Sequence, residues 1–410
     1  MERFTGIIGI ILILGIAFLL SNNKKRINYR LVISGLGLQL FIAVLVLKVP
    51  LVTRFFEFLG RGMGKIEQFA TQGASFVYGG VMIDTHDGLS KPYGTPHTFV
   101  FAFTVTATII FVCVLVAIFY HFGIMQRLVA IIARVMNFVM RASGAEALSN
   151  VASAFVGQVE AQVMIRPYLS TMTKSELLSS MAGSMACIAG GILIVYVNMG
   201  AKVEYLLAAS LMAAPAAIVI SKIIYPETEI PKTQGKVTLE VKREHTNLID
   251  AISHGAADGM KIAINVIAML IGFIALIALV NYLLGLISPQ FTLDVIFSKI
   301  FYPFAWAMGV PMEDIGQVAS LMGQKLTINE FVAFDTLTHH LAKPLSEKGL
   351  LIASFAICGF ANFSSVGMQI GGIGALAPER RADLAKLGIR ALISGTLASY
   401  LSATIAGMLL

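Results

Sequence analysis

Charge is scarce in this sequence. Asp, Glu, Lys and Arg make up only 13% of its 410 residues, against about a quarter in soluble domains. Apolar residues reach 57%, and the mean hydropathy is +0.82. A chain this poor in charge cannot clothe a water-facing surface, so lipid must be the solvent for much of it. Cysteine is scarce too. Cys113, Cys187 and Cys358 lie in apolar runs with no CxxC spacing, which excludes a disulfide framework and a thiolate metal centre. No HExxH, GxSxG or Cys/His cluster is present, so the chain carries no recognisable enzyme site and implies no cofactor. The net charge of +7 comes without a basic patch interleaved with aromatics, which excludes nucleic acid as a partner.

What the chain does have is apolar length. Stretches able to cross about 30 Å of hydrocarbon lie at 5–20, 31–48, 97–120, 177–198, 203–224, 261–287, 350–376 and 387–410. The first has no small-x-small cleavage site and runs into KKR, so it reads as a retained helix rather than a signal peptide. Lys24, Lys25, Arg26 and Arg30 fall between the first two spans. Lys232, Lys236, Lys242 and Arg243 fall between the fifth and sixth, and Arg380, Arg381 and Lys386 between the seventh and eighth. Positive loops stay inside, so eight spans put both termini outside a cell membrane.

Residues 225–246 form the one extended polar loop. Arg127, Arg134 and Arg141 recur every seven residues within 124–141, giving an amphipathic helix suited to lying at the cytoplasmic interface. Trp306 and Tyr302 read as interfacial aromatics. His254, His339 and His340 read as interface or loop histidines.

Two moderately apolar segments, 146–170 and 312–345, each carry a glutamate in mid-segment. Each leads into a span interrupted by small or polar residues, CIAGG at 187–191 and CGFANFSS at 358–365. Glu160 precedes Cys187 by 27 positions (187 − 160), and Glu330 precedes Cys358 by 28 (358 − 330). The lead-ins SELL (175–178) and SEKGLL (346–351) match as well. An odd number of crossings separates the copies, so the second is inverted relative to the first. Inverted repeats with paired broken helices are the plan of secondary transporters, with the substrate at the repeat interface.

A carboxylate at membrane depth is a functional candidate by default. Gln158 and Glu160 together present the amide and carboxylate needed to pair with the edge of a heterocycle. Glu330 with Asn362 and Ser365 can grip vicinal hydroxyls, and Phe360 offers an aromatic face. A flat, neutral solute bearing a sugar fits this set better than an ion or a lipid.

The segments FVGQVEAQVMIRPYL (155–169), CIAGG, TINEFVAF (327–334), CGFANFSS and GALAPERR (374–381) resemble, in order, the signatures of the concentrative nucleoside transporter family. FVFAF (99–103) and FYHFGIMQ (119–126) extend the resemblance across essentially the whole chain. It implies an all-α polytopic transporter of about eight transmembrane helices, two re-entrant hairpins and interfacial helices. It also implies a homotrimer whose transport domain moves in an elevator-like step. Residues 1–123 would be scaffold, and 124–224 the first repeat of the transport domain. After the loop at 225–246, residues 247–289 would be a scaffold helix and 290–410 the second repeat. Gln158, Val159 and Glu160 would face the base, with Ile192 and Ile262 lining the pocket. Glu330, Phe360, Asn362 and Ser365 would face the ribose.

The family's sodium site maps onto Ser153, Val156, Val159, Cys187 and Ile188. Val159 offers no side-chain oxygen and Cys187 only sulfur, a poor donor for a hard cation. The reading is therefore proton-coupled symport carried by Glu160 or Glu330, because burial favours the neutral acid. Asp335 is a further carrier candidate. Sodium coupling through Ser153 and backbone carbonyls, or a passive facilitator, are the alternatives.

Overall fold

The computed structural model describes residues 2–78, 101–235, 246–288 and 290–410. Residues 97–100 of the third expected span, and Lys236, Lys242 and Arg243 of the polar loop, lie outside the described residues. Helices α1 (Glu2–Leu19), α2 (Tyr29–Lys48), α3 (Pro50–Tyr78), α4 (Phe101–His121) and α5 (Ile124–Met140) open the chain. Next come α6 (Gly144–Ser153), α7 (Glu160–Val163), α8 (Arg166–Leu169), α9 (Lys174–Ala186), α10 (Gly190–Asn198) and α11 (Val203–Ile224). A 40-residue helix, α12 (Leu248–Ile287), precedes α13 (Leu293–Ala307), α14 (Ile315–Thr327), α15 (Glu330–His339), α16 (Glu347–Ile357), α17 (Phe363–Leu376) and α18 (Arg381–Leu409). The fold is that of an all-α polytopic membrane protein.

Each expected apolar stretch falls on a helix or a helix pair, but few make one straight span. Only α2, α11 and the run Pro378–Leu409 are, among the described residues, long and apolar enough by themselves to cross a membrane. The fourth and seventh stretches are each cut in two, α9 from α10 and α16 from α17. At the end of α4 the chain turns by 75° into α5, whose buried face carries Val129, Ala133 and Met136 while Arg127 and Arg134 are exposed. Arg141 lies just past the helix, as its left-handed cap.

The sixth helix starts at Leu248, thirteen residues before the apolar run at 261 but within one residue of the start expected for the scaffold helix. Asn247 caps it, and charged residues such as Asp250 and Asp258 hide its first turns from a hydropathy window. Helix α3 lies within the part expected to be scaffold, at a place where no apolar stretch marks a helix. Its charges, among them Arg54, Glu57, Arg61 and Lys65, interrupt every apolar run, yet it is a long amphipathic helix opened by Pro50.

The duplication is visible as element order. An arm helix (α5 or α13) leads to a short-helix unit (α6–α8 or α14–α15), a broken span (α9/α10 or α16/α17) and a long helix (α11 or α18). Local sequence explains the starts. Ser143 with Glu146, and Thr173 with Glu176, form capping boxes on α6 and α9. Asn329, Ser346 and Asn362 cap α15, α16 and α17 through their side chains.

The two breaks lie against each other. Gly359 has φ +108, and a Cβ there would meet the Ala186 carbonyl oxygen. Ser210 stitches the first break, accepting from Ile188 N and donating to Ile188 O, both at 3.2 Å. Ser399 donates to Cys358 O at 3.2 Å in the second. Arg380 ties the halves again, donating to the carbonyls of Leu169, Ser170 and Met172 at the end of α8. Outside the repeats, Gly255 and Gly259 let α12 press onto α4, where a Cβ on Gly259 would come within 2.6 Å of Ile110 Cα.

Gly359→Ala must strain the backbone and displace the Ala186 carbonyl. It should lower stability by about 1–3 kcal/mol from the φ alone, seen as a reduced Tm in detergent. Gly371→Ala, where nothing lies within 4 Å, is the control and should leave Tm unchanged.

Candidate functional site

A cavity of about 1130 Å³ lies between the two repeats on one side and the α4–α12 pair on the other. Of the nine residues expected to read a solute, eight line it: Gln158, Val159, Glu160, Ile192, Ile262, Glu330, Phe360 and Asn362. The ninth, Ser365, stands behind the wall. It is fully buried, and its hydroxyl accepts from Gln158 Nε2 at 3.1 Å. Asn362 caps α17 by accepting from Ser365 N at 2.9 Å, and Ser365 points back at the first repeat instead of into the cavity.

The two carboxylates sit differently. Glu160 is exposed to the cavity at the first position of α7, where the absence of a side chain on Gly157 makes room for its carboxylate. Glu330 is only 4% exposed. Its Oε2 accepts from Asn362 Nδ2 at 2.9 Å, and its Oε1 accepts from Tyr196 OH at 3.3 Å. Tyr196 is in turn stacked on Phe334, with ring centroids 4.4 Å apart. Glu330 therefore belongs to the second repeat but is held in part by the first. Gln158 belongs to the first and is held by Ser365 and, at 3.4 Å, by Gln369 Nε2 of the second.

Tyr196 and Gln369 escaped the sequence reading. Both lie inside apolar helices with no motif around them, although Gln369 follows Asn362 by seven residues and so shares its helix face. The polar residues of α12 on the cavity, Asp258 and Asn265, were also missed because hydropathy presents that helix as a plain span.

Asp335 does not belong to the site. Five residues beyond Glu330 is a rotation of about 140° around a helix, which turns Asp335 away from the cavity. It pairs instead with His339 at 3.1 Å and His340 at 3.3 Å, and is about half exposed.

The five positions expected to have lost a sodium site do cluster around the first break. Ser153 donates to Ser149 O at 2.7 Å and shares a hydrogen with Ser184 at 2.9 Å. Cys187 is buried, its sulfur 3.8 Å from Ser210 O and 3.9 Å from Asn150 O. Ile188 already has both backbone groups on Ser210. Val156 is buried on the cavity wall, and Val159 is half-buried there with its methyls towards Gly372. The Ser153 hydroxyl and the Ile188 carbonyl are thus engaged within the protein.

Sequence comparison matches three family models along the chain. Residues 8–81 match the Na+ dependent nucleoside transporter N-terminus, 102–203 the nucleoside recognition "Gate" model, and 205–407 the Na+ dependent nucleoside transporter C-terminus. An "Uncharacterized transporter" of Haemophilus influenzae is 40% identical, covering 100% of this chain and 98% of its own. The nucleoside permease NupC of Helicobacter pylori is 35% identical, covering 98% and 96%. CNTnw, solved in an inward-facing substrate-bound state, superposes with a TM-score of 0.92 at 38% identity, over 100% of this chain and 98% of that one.

Tyr196→Phe keeps the ring stack and deletes the hydroxyl on Glu330. The lost hydrogen bond to a charged group should cost about 1.5–3 kcal/mol, measurable as a lower denaturation midpoint in detergent. An unchanged midpoint would show that the 3.3 Å contact contributes nothing.

Proposed function

This chain belongs to the concentrative nucleoside transporter family, and from that premise we propose that it imports nucleosides by symport with protons. The observation that carries the solute reading is the meeting, in one cavity, of Gln158 and Glu160 from one repeat with Glu330 and Asn362 from the other. The amide and free carboxylate on one side suit the donor and acceptor edge of a base. The anchored carboxylate and amide on the other suit the hydroxyls of a ribose, and Phe360 supplies an apolar face. The family is one of transporters, and its members are not enzymes.

Protons are preferred over sodium because of the chemistry at the first break. Val159 and Cys187 bring no oxygen, Ser153 is committed to Ser149 and Ser184, and the Ile188 carbonyl accepts from Ser210. Sodium prefers a cage of oxygens. The sodium alternative keeps the family models' own description in its favour and would rely on Ser153 and carbonyls. A passive facilitator has no use for two carboxylates in the solute cavity.

The remaining parts of the reading are architectural. Eight spans and two re-entrant hairpins (α6–α8 and α14–α15) would place both termini outside the cell membrane. The repeats would move against α4 and α12 as an elevator. Lipid, and like subunits in a homotrimer, would cover exposed apolar residues such as Phe55 and Phe58 on α3 and Ile274 and Leu283 on α12. The cavity reaches His121, His254 and Glu379, which lie at helix ends on the side assigned to the cytoplasm, so the conformation is read as inward-open.

Labelled uridine and adenosine uptake into proteoliposomes, under an imposed pH or sodium gradient, tests both parts. The expected outcome is accumulation driven by protons and indifferent to sodium. Accumulation driven by sodium overturns the coupling ion and keeps the solute; no uptake under either gradient removes the solute. Glu160→Gln and Glu330→Gln should each weaken uridine binding roughly ten- to hundredfold, the worth of a hydrogen bond to a charged group.

A further inference from the structure

Lys325 is fully buried in α14, and its Nζ has no hydrogen-bond partner among the described residues. An ammonium with three unanswered donors is among the costliest groups a membrane protein can bury. We propose that Lys325 is the group that takes up and releases the transported proton, with Glu330 as its fixed counter-charge. This rests on the proton-symport reading above and assigns that reading its carrier.

The argument starts from Glu330. Asn362 Oδ1 accepts from Ser365 N at 2.9 Å and from Ser364 Oγ at 2.7 Å, so its Nδ2 must be the atom facing Glu330. An amide nitrogen only donates, which keeps Glu330 Oε2 an acceptor. The Tyr196 hydroxyl donates to the other oxygen. The site is therefore built to hold Glu330 as a carboxylate, a poor arrangement for a group that must repeatedly carry a proton. Lys325 is five residues away, across the short connection Ile328–Asn329. No direct ion pair within 4 Å joins the two among the described residues, so the ammonium is stabilised through space and not by a hydrogen bond.

Few other charges bear on it. Glu330 at the start of α15 and Cys358 at the second break are the groups that act on Lys325 electrostatically. On α13, Asp294 is turned to Ser320 and Gln324. On α10, Tyr196 is engaged with Glu330, and at the foot of α14 Asp314 is bound to Ser346. Of the two members of the pair, Lys325 is the one whose charged form has no hydrogen bonds to lose.

The step is a simple one. A proton from water forms an N–H bond on the Lys325 amine, and the same bond breaks to release it; nothing is oxidised or reduced. Glu330 lines the cavity and Lys325 does not, so the amine exchanges its proton with cavity water from behind Glu330, without protonating the carboxylate. With the ammonium present, Glu330 keeps its counter-charge and accepts from the solute's hydroxyls. With the amine neutral, an isolated buried carboxylate remains and its hold on the solute falls. Linkage makes this reciprocal, so bound solute also strengthens the hold on the proton. The loaded pair is neutral and the empty one carries a single negative charge.

The test compares the native protein with Lys325→Arg, whose charge is permanent, and Lys325→Met, which keeps the apolar stem without the amine. Each is reconstituted and assayed for labelled uridine exchange without a gradient and for accumulation under a pH gradient. One proton per solute and a one-unit gradient support about tenfold accumulation in the native protein. Lys325→Arg should still exchange uridine but level off at the outside concentration, with exchange that no longer responds to pH. If the larger arginine head prevents assembly, Lys325→Met answers the same question and should likewise fail to accumulate. Native-like proton-driven accumulation in either variant overturns the assignment of Lys325 and leaves proton symport standing. A native protein driven by sodium and not by protons overturns both.

Discussion

A helix interrupted away from water leaves backbone groups that lipid cannot satisfy, and in this chain two interruptions pack against each other while neighbouring elements meet that demand. Gly359 is bare where it passes the Ala186 carbonyl, and Ser210 and Ser399, from the two long helices α11 and α18, hydrogen-bond within the breaks. Gly190 N donates to Phe155 O at 3.1 Å, which fixes the loop bearing Gln158 to the start of α10. The position of every cavity residue on the repeats follows from this crossing. If the breaks parted, Gln158 would lose Ser365 and Glu330 would lose Tyr196.

The copies are alike in order but not in their tips. In the first, residues 154–159 separate α6 from α7, and this longer loop carries Val156, Gln158 and Val159 to the cavity. In the second, α14 passes to α15 through Ile328 and Asn329 alone, so the glutamate lies deeper and the lysine before it is sealed in. One carboxylate faces cavity water and the other is walled in by Asn362 and Tyr196. The two tips differ in length, and their glutamates have correspondingly different surroundings.

Much of this was legible in the sequence because it follows from hydropathy and spacing. The apolar stretches, the polar interruptions and the matched glutamates are one-dimensional signals. Hydropathy alone does not mark helix α3, because its charges defeat the window, and it misses the first turns of α12 for the same reason; the family resemblance supplies the start of α12 instead. Neither Ser365 nor Asp335 lies on the cavity wall, each for a local reason. Capping geometry turns Ser365 inward, and helical rotation turns Asp335 out. Tyr196, Gln369 and Lys325 draw their importance from partners more than 100 residues away, or from having no hydrogen-bond partner at all; neither condition leaves a mark on local sequence.

The contacts that cross between the halves also bear on whether either half could stand alone. Tyr196 serves Glu330, Ser365 and Gln369 serve Gln158, and Arg380 closes the end of α8. Either half on its own would leave an acid or amide short of a partner, a cost of about 1–3 kcal/mol each that a marginally stable fold can ill bear. These polar groups are fully answered only where the two halves face each other, so the polar lining of the cavity belongs to the pairing and to neither half alone.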